Sequence, residues 1–340
     1  MWRQTTRQDR NRALWEEELE EFVPAKVLDF HVHLFNEATL PRGTTFSCAG
    51  HPIRHYDIDD LRTDLAETYP GRETLAVCFG TPHAEYDRSE NNRYVASVCD
   101  GRRFHALRLL DPSENAHAVR RDVEEHGFLG FKPYLNYVPK ADRNQVEITE
   151  MLPDHLMRIA DELGLIVMLH IPRRLRLADP LNQRQLPALC RRFPRAKIVL
   201  AHIGRAYYLR NVVGHLDNLV DLPNLFVDIS MLNNWEVLEH TFRVFGRDRL
   251  LFATDTPIAM APGKSVEIND QYTYVTPVPW HLSISDDHGK LVFTSFLYEQ
   301  LRAMKKAIAR LELGRDFAEA VFYKNGLSLL ESVPPRKEPS

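Results

Sequence analysis

His31 and His33 close the apolar run Lys26-Val27-Leu28-Asp29-Phe30 with one residue between them, and their types and spacing are the first in this chain that can do chemistry. A β-strand sends alternate side chains to opposite faces, so two imidazoles at this spacing project side by side. That is half of a metal site. Such pairs also arise by chance on surface strands, so the meaning of this one depends on whether other apolar runs end in further ligands. They do. Leu165–His170 ends in His170, Lys197–His202 in His202 and Leu250–Asp255 in Asp255, while Gly127–Lys132 ends in Lys132. Taken singly, a strand-terminal histidine is ordinarily a scaffold residue, and Asp255 before Thr256-Pro257 is able to cap a turn. Four histidines and an aspartate at strand ends are a different matter. Three protein donors and an open position make a catalytic zinc site, and extra donors allow five-coordination or a second ion. A metal so held brings the pKa of water towards neutrality and polarises a carbonyl. A carboxylate beside that water takes its proton, and an imidazole outside the ligand set shuttles protons.

These residues need a scaffold that gathers strand ends. Eight apolar runs are legible in order: Val27–His33, Thr74–Phe79, Phe104–Leu109, Gly127–Lys132, Leu165–His170, Lys197–His202, Asn224–Ile229 and Leu250–Asp255. Most are dense in Val, Ile, Leu and Phe without clean alternation, as expected of parallel strands buried on both faces. Helical patterns lie between them, at Ala116–His126, Asp154–Leu163, Leu181–Arg192 and Trp235–Phe245. This alternation predicts an α/β fold, a closed (β/α)8 TIM-like barrel, whose strands present their C-terminal ends to one mouth. Long loops after strands 1 and 8 (Asn36 to about Asp60, and Thr256 to about Phe293) are expected to hang over that mouth. The predicted organisation is an N-terminal arm or helix over 1–24, with acidic Trp15–Phe22 solvated against the body. A barrel follows over 25–332, with a flexible tail over 333–340.

The whole chain sets further bounds. A net charge of −4 gives no reason to expect nucleic acid or an anionic membrane as partner. Cys48, Cys78, Cys99 and Cys190 are scattered without Cys-x-x-Cys spacing, which argues against a zinc ribbon or a disulfide framework and suits a reducing compartment. There is no signal-like N-terminus and no apolar stretch of membrane-spanning length, so a cytoplasmic protein is expected.

The arrangement resembles the amidohydrolase superfamily, most closely the amidohydrolase-related branch that includes the aminocarboxymuconate semialdehyde decarboxylase-like enzymes. The resemblance covers nearly the whole chain. It is carried by Asp29-Phe30-His31-Val32-His33, Val167-Met168-Leu169-His170, Val199-Leu200-Ala201-His202-Ile203-Gly204 and Leu250-Leu251-Phe252-Ala253-Thr254-Asp255-Thr256-Pro257, with Phe322-Tyr323-Lys324-Asn325-Gly326 near the C-terminus. The last motif often has Ala in that branch where Gly326 stands. The resemblance implies that His31, His33, His170 and Asp255 hold one divalent metal, usually zinc and in some members manganese. His202 then acts beside it, and Asp255 both ligates and exchanges protons. In binuclear relatives a lysine at the end of the fourth strand is carboxylated and bridges two metals. In this branch it often stays unmodified, so Lys132 is expected to be a cation near a single ion.

Arg108, Arg173, Arg174, Arg205, Arg54 and Lys132 predict a cationic mouth, and guanidinium groups recognise carboxylates bidentately. A carboxylate-bearing small molecule is therefore the expected substrate, with Lys132, Arg108, Arg173 and Tyr134 as its contacts. Tyr137 and Trp280 are further candidates for aromatic walls, and His83 and His281 for the mouth. A homo-oligomer, in its simplest form a dimer, is expected. The main functional reading is a metal-dependent hydrolase of an amide, ester or lactone. Its competitor on the same site is a non-oxidative decarboxylase of an unsaturated or aromatic acid. Some decarboxylases of the branch have Glu where His31 stands, which favours hydrolysis. A Schiff-base aldolase using Lys132 makes the His/Asp set coincidental, and a non-catalytic barrel would be expected to lack ligands that are all present here.

Overall fold

The computed structural model describes residues 2–83 and 85–334. Eight parallel strands form a ring: β1 (Lys26–His33), β2 (Glu73–Phe79), β3 (in two pieces, Phe104–Ala106 and Arg108–Leu110), β4 (Gly130–Pro133), β5 (Ile166–Leu169), β6 (Lys197–Leu200), β7 (Leu225–Asp228) and β8 (Leu250–Leu251). Each pairs with the next in chain order, with β3 pairing β2 through its first piece and β4 through its second. The ring closes where β1 meets the segment after β8. Phe30 N donates to Phe252 O (3.0 Å), Asp255 N to His31 O (2.9 Å) and His33 N to Thr256 O (2.8 Å). The eight runs expected from the sequence are these eight strands. Their near-unbroken burial, with only the first residue of β1 and β2 exposed, is why they read as apolar runs rather than alternating ones.

Helices pack outside the ring, and their ends follow local capping chemistry. Asn115 accepts from His117 N and Ala118 N to start Ala116–His126, which stops at Gly127 in the left-handed conformation. Asn234 caps Trp235–Phe245, Asp179 caps Pro180–Arg192 with proline at its first position, and Ser295 caps Phe296–Arg310. Both long loops leave the mouth end of the barrel and carry structure of their own. The first holds the hairpin Phe46–Cys48/His51–Ile53. The second holds a small sheet in which Lys264–Ile268 and Ser283–Ser285 flank Gln271–Thr276. In the N-terminal segment Leu14, Trp15, Leu19 and Val23 are buried while Glu16, Glu17, Glu20 and Glu21 face solvent, and Arg3 reaches Asp60 (2.8 Å) and Asp64 (2.9 Å). The expected 333–340 tail lies, from residue 335, outside the described residues. Among those described, no helix is long and apolar enough to cross a membrane.

Glycine is required where β4 begins. A Cβ on Gly130 would stand 2.0 Å from the carbonyl oxygen of Ile166 in β5, a backbone atom that cannot swing aside. Overpacking of this kind costs about 1–3 kcal/mol or more. Gly130→Ala is therefore expected to lower the free energy of unfolding by that amount, read as a fall in the midpoint of chemical denaturation. A variant as stable as the parent would contradict the tight β4–β5 contact.

Candidate active site

The closure of the ring brings the two strand-1 histidines against Asp255. His31 Nε2 lies 3.3 Å and His33 Nε2 3.1 Å from the same carboxylate oxygen, Asp255 Oδ1. One donor atom from each of the three residues lies within 4.8 Å of the others. The far side of each ring is tied down: His31 Nδ1 donates to Asp228 Oδ2 (2.9 Å) and His33 Nδ1 to the carbonyl of Gly80 (2.9 Å). With their protons on Nδ1, both rings turn Nε2 lone pairs towards a carboxylate oxygen. Lone pairs and an anion at this range repel unless positive charge lies among them, and a divalent cation with N and O donors fits that requirement. Burial opposes ionisation of Asp255, but His31 and His33 hold its carboxyl well below the usual range, and burial pushes the imidazole of His33 down. His31 goes the other way: against burial and the charge of Lys132, Asp255 and Asp228 hold its imidazole up. A metal, which needs neutral imidazole and ionised carboxylate, would take the place of that proton.

Asp228, at the end of β7, is the residue the sequence reading missed. Fully buried, it ties three parts of the site together. Its Oδ2 orients His31, while its Oδ1 accepts from His202 N (2.8 Å), Ser230 N (3.1 Å) and Ser230 Oγ (2.6 Å). Ser230 Oγ in turn accepts from His202 Nδ1 (2.8 Å). Burial disfavours its charge, but His31 and then His202 keep the Asp228 carboxyl below the ordinary range. One signal was available: Val227-Asp228-Ile229 places a carboxylate inside an apolar run, where an unpaired charge is prohibitive. With Nδ1 held by Ser230, His202 presents an unprotonated Nε2 to Asp255 Oδ2 at 3.8 Å, and burial pushes this imidazole down to about 4. The backbone here is strained: His202, Ile203, Gly204 and Arg205 all have φ between 51° and 64°. A left-handed turn costs roughly 1–2 kcal/mol per non-glycine residue, so its presence beside the cluster marks a geometry held by its surroundings.

The other expected residues divide into those the fold brings in and those it does not. Lys132 is wholly buried, with Nζ 3.2 Å from His31 Nε2 and over the rings of Phe79 and Tyr134. Burial pushes its amine down to about 7 against the pull of Asp228 and Asp255. No carboxylate lies within ion-pair distance of it among the described residues, so its direct partner is an imidazole. Tyr134 places its hydroxyl 3.3 Å from His33 Nε2. His170 stands 5.5 Å, ring to ring, from His202. It is outside the compact three-residue group, and its buried Nδ1 has no hydrogen-bond partner. A cation would supply what that orphaned nitrogen lacks. His33, Tyr134, His170, His202 and Asp255 share one cavity of about 270 Å³, whose remaining walls include Phe35, Phe46, Pro82, His83, Leu135 and Ile258.

The cationic mouth needs correction. Arg108 does not face this cavity; it is buried against helix Ala116–His126, paired with Glu114 (2.8 Å) and Asp122. Arg173 is engaged by Asp179 (2.8 Å), Arg54 by Glu37, and Arg174 is exposed. Arg108, Arg173 and Arg54 each face a carboxylate 6 to 17 residues away in the chain, a pairing invisible without coordinates. Tyr137 packs edge-on against Tyr134, Trp280 packs on Tyr274, and His281 is exposed.

Loss of an outer hydrogen-bond partner ordinarily weakens metal binding about 10–100-fold. Asp228→Asn is expected to lower zinc affinity, measured by chelator competition, within that range while the chain stays folded. Unchanged affinity would contradict the role given to Asp228.

With this geometry in hand, comparisons place the chain among known proteins. No curated protein matches it. Solved structures share its fold: an amidohydrolase from Burkholderia multivorans with bound zinc (18% identity, 91% of this chain and 100% of that one, TM-score 0.56) is one. A candidate 2-pyrone-4,6-dicarboxylic acid hydrolase from Pseudomonas putida (16%, 92% and 100%, 0.56) and a 2,6-dihydroxybenzoate decarboxylase from Rhizobium (15%, 91% and 99%, 0.54) are others. The amidohydrolase family model matches residues 28–330, a span that takes in the ring from the third residue of β1 onward and every residue of the His/Asp cluster. The chain belongs to the amidohydrolase family, whose members are metal-dependent enzymes.

Proposed function

We propose that the protein is a hydrolase that activates water at one divalent metal, zinc in the first instance and manganese as the alternative, to open an amide, ester or lactone. The observation that carries this reading is the meeting of His31 Nε2, His33 Nε2 and Asp255 Oδ1 at 3.1–3.3 Å with the imidazole protons held on the opposite nitrogens. His31, His33 and Asp255 would hold the metal, with His170 completing the set. A metal there supplies Lewis-acid activation of water and of the substrate carbonyl. Asp255, ionised and at the edge of the cavity, takes the proton of the attacking water and returns it to the leaving group. His202, with Nδ1 fixed by Ser230, directs an unprotonated Nε2 at the same space, suited to steering water or receiving a proton. Tyr134 offers a hydroxyl donor beside His33.

A second reading is supported by the apolar and aromatic side chains in the cavity wall, Phe35, Phe46, Leu135 and Ile258 among them, and by likeness to the Rhizobium decarboxylase. There the same residues would orient an aromatic or unsaturated acid, and a proton would replace carbon dioxide.

Turnover in water labelled with heavy oxygen separates the two. Hydrolysis requires the label in the acid product, and carbon dioxide release with no label in the organic product would replace it with decarboxylation. On either path chelation is expected to abolish turnover and zinc to restore it. Asp255→Asn is expected to lower kcat by about 10²–10⁴-fold, the usual contribution of a positioned acid–base group. Turnover that survives complete metal removal would overturn both.

A further inference from the structure

Two partly buried arginines beside the cluster, Arg205 and Arg176, have no carboxylate partner among the described residues. Arg205 ends the left-handed turn that begins at His202, and its side chain makes one hydrogen bond among the described residues, from Nη1 to the carbonyl of Ile171 (3.2 Å), next to His170. Its charge is felt by His170, which burial and Arg205 together hold well below the ordinary imidazole range. Arg176 lies close enough to lower the pKa of Arg205, after burial the largest influence on it. The Arg176 guanidinium makes no hydrogen bond among the described residues, and its Nε is buried without a partner. It stacks instead over Tyr272 (4.5 Å) and Tyr207 (5.7 Å). Neither arginine has a carboxylate within ion-pair distance among the described residues.

This is not how the fold treats a half-buried arginine elsewhere. Arg249 also lacks an acid, yet it donates to the carbonyls of Val220, Leu222 and Leu225. Arg103 is satisfied by the carbonyl and hydroxyl of Thr74. The surroundings of Arg176 and Arg205 supply tyrosine hydroxyls, which both donate and accept, rather than carboxylates. Tyr207, Tyr272 and Tyr274 pack ring to ring (4.6 and 5.6 Å), and none of their hydroxyls makes a hydrogen bond among the described residues. Tyr207 also stands 6.0 Å, ring to ring, from His202, which ties this group to the cluster. Two partly buried cations pressed together are costly unless an anion completes them. A guanidinium fork matches the planar geometry of a carboxylate.

We propose that Arg205 and Arg176, with the hydroxyls of Tyr207, Tyr272 and Tyr274, form a carboxylate-binding subsite on the β5–β6 side of the mouth. The neighbouring cavity, with Phe35, Phe46, Pro82, Leu135 and Ile258 among its walls, then takes the apolar part of the same molecule. Anion binding stands on these residues alone; its role as a substrate anchor rests on the functional reading above.

Benzoate and its neutral isostere benzamide are the probes, titrated calorimetrically into the full-length zinc-loaded protein. Benzoate is expected to bind, and benzamide to bind about tenfold or more weakly, as the loss of a charge-assisted hydrogen bond implies. Arg205→Gln and Arg176→Gln are each expected to weaken benzoate by a similar factor with zinc content unchanged, and Arg174→Gln to leave it untouched. Equal affinity for the two probes would show that no cationic group reads the carboxylate, and full benzoate affinity in the arginine variants would place the anion on the metal; either result overturns the subsite while leaving metal-dependent turnover intact. Arginine-dependent benzoate binding without any metal-dependent turnover would retain the subsite and remove the functional reading. Should the glutamine variants unfold, Arg205→Lys and Arg176→Lys keep the charge but lose the fork. Undiminished binding in both would equally overturn the proposal.

Discussion

The hydrogen-bonded seam between β1 and the segment after β8 is the constraint on which the rest of the site depends. Two donors of the cluster come from one side of that seam and the third from the other, so their separation is set by how the ring closes. Asp29 secures the closure. One of its oxygens accepts from His31 N (3.1 Å) and Thr254 N (3.0 Å), and the other from Thr254 Oγ1 (2.5 Å). Thr254 Oγ1 continues the chain of contacts to Thr256 Oγ1 (2.7 Å), and Asp255 between them has φ of 71°. The carboxylate that faces the histidines is thus held in a backbone conformation disfavoured for its residue type by a buried aspartate on the opposite strand. Burial pushes Asp29 up to about 7, opposed by its three hydrogen bonds from Thr254 and His31 and by the charge of the His31 imidazole.

Asp228 does the corresponding work on the other side. It fixes the far nitrogen of His31 and the backbone of His202 at once, so the metal-facing ring and the proton-handling ring are positioned by one carboxylate. Three carboxylates therefore have three different tasks. Asp29 sets strand register, Asp228 sets ring orientation, and Asp255 alone reaches the cavity. What separates them is which hydrogen-bond donors surround each one, not their chemistry as side chains.

Much of this was legible in the sequence. Strands buried on both faces leave dense apolar runs, so the ring count could be made from composition, and helices such as Ala116–His126 and Asp154–Leu163 fall where their patterns place them. The ligand candidates stood out because polar residues at the ends of apolar runs have few other reasons to be there. What failed was partner choice. Arg108 and Arg173 looked like substrate contacts because a sequence shows charges but not which carboxylate lies across a turn, and both are neutralised locally by Glu114, Asp122 and Asp179. Asp228 was overlooked because it lies within a run read only for its apolar content. The left-handed turn from His202 to Arg205 has no signature beyond Gly204, since three of its four residues are types that ordinarily avoid that conformation.

The central claim is that the His31/His33/Asp255 meeting point is a metal site, and native metal content tests it most directly. Elemental analysis of the protein purified without added metal or chelator is predicted to find close to one divalent ion per chain, absent from the His33→Ala and Asp255→Ala variants. A native protein that is fully active yet metal-free, or one whose ion is retained when both residues are removed, would contradict the account.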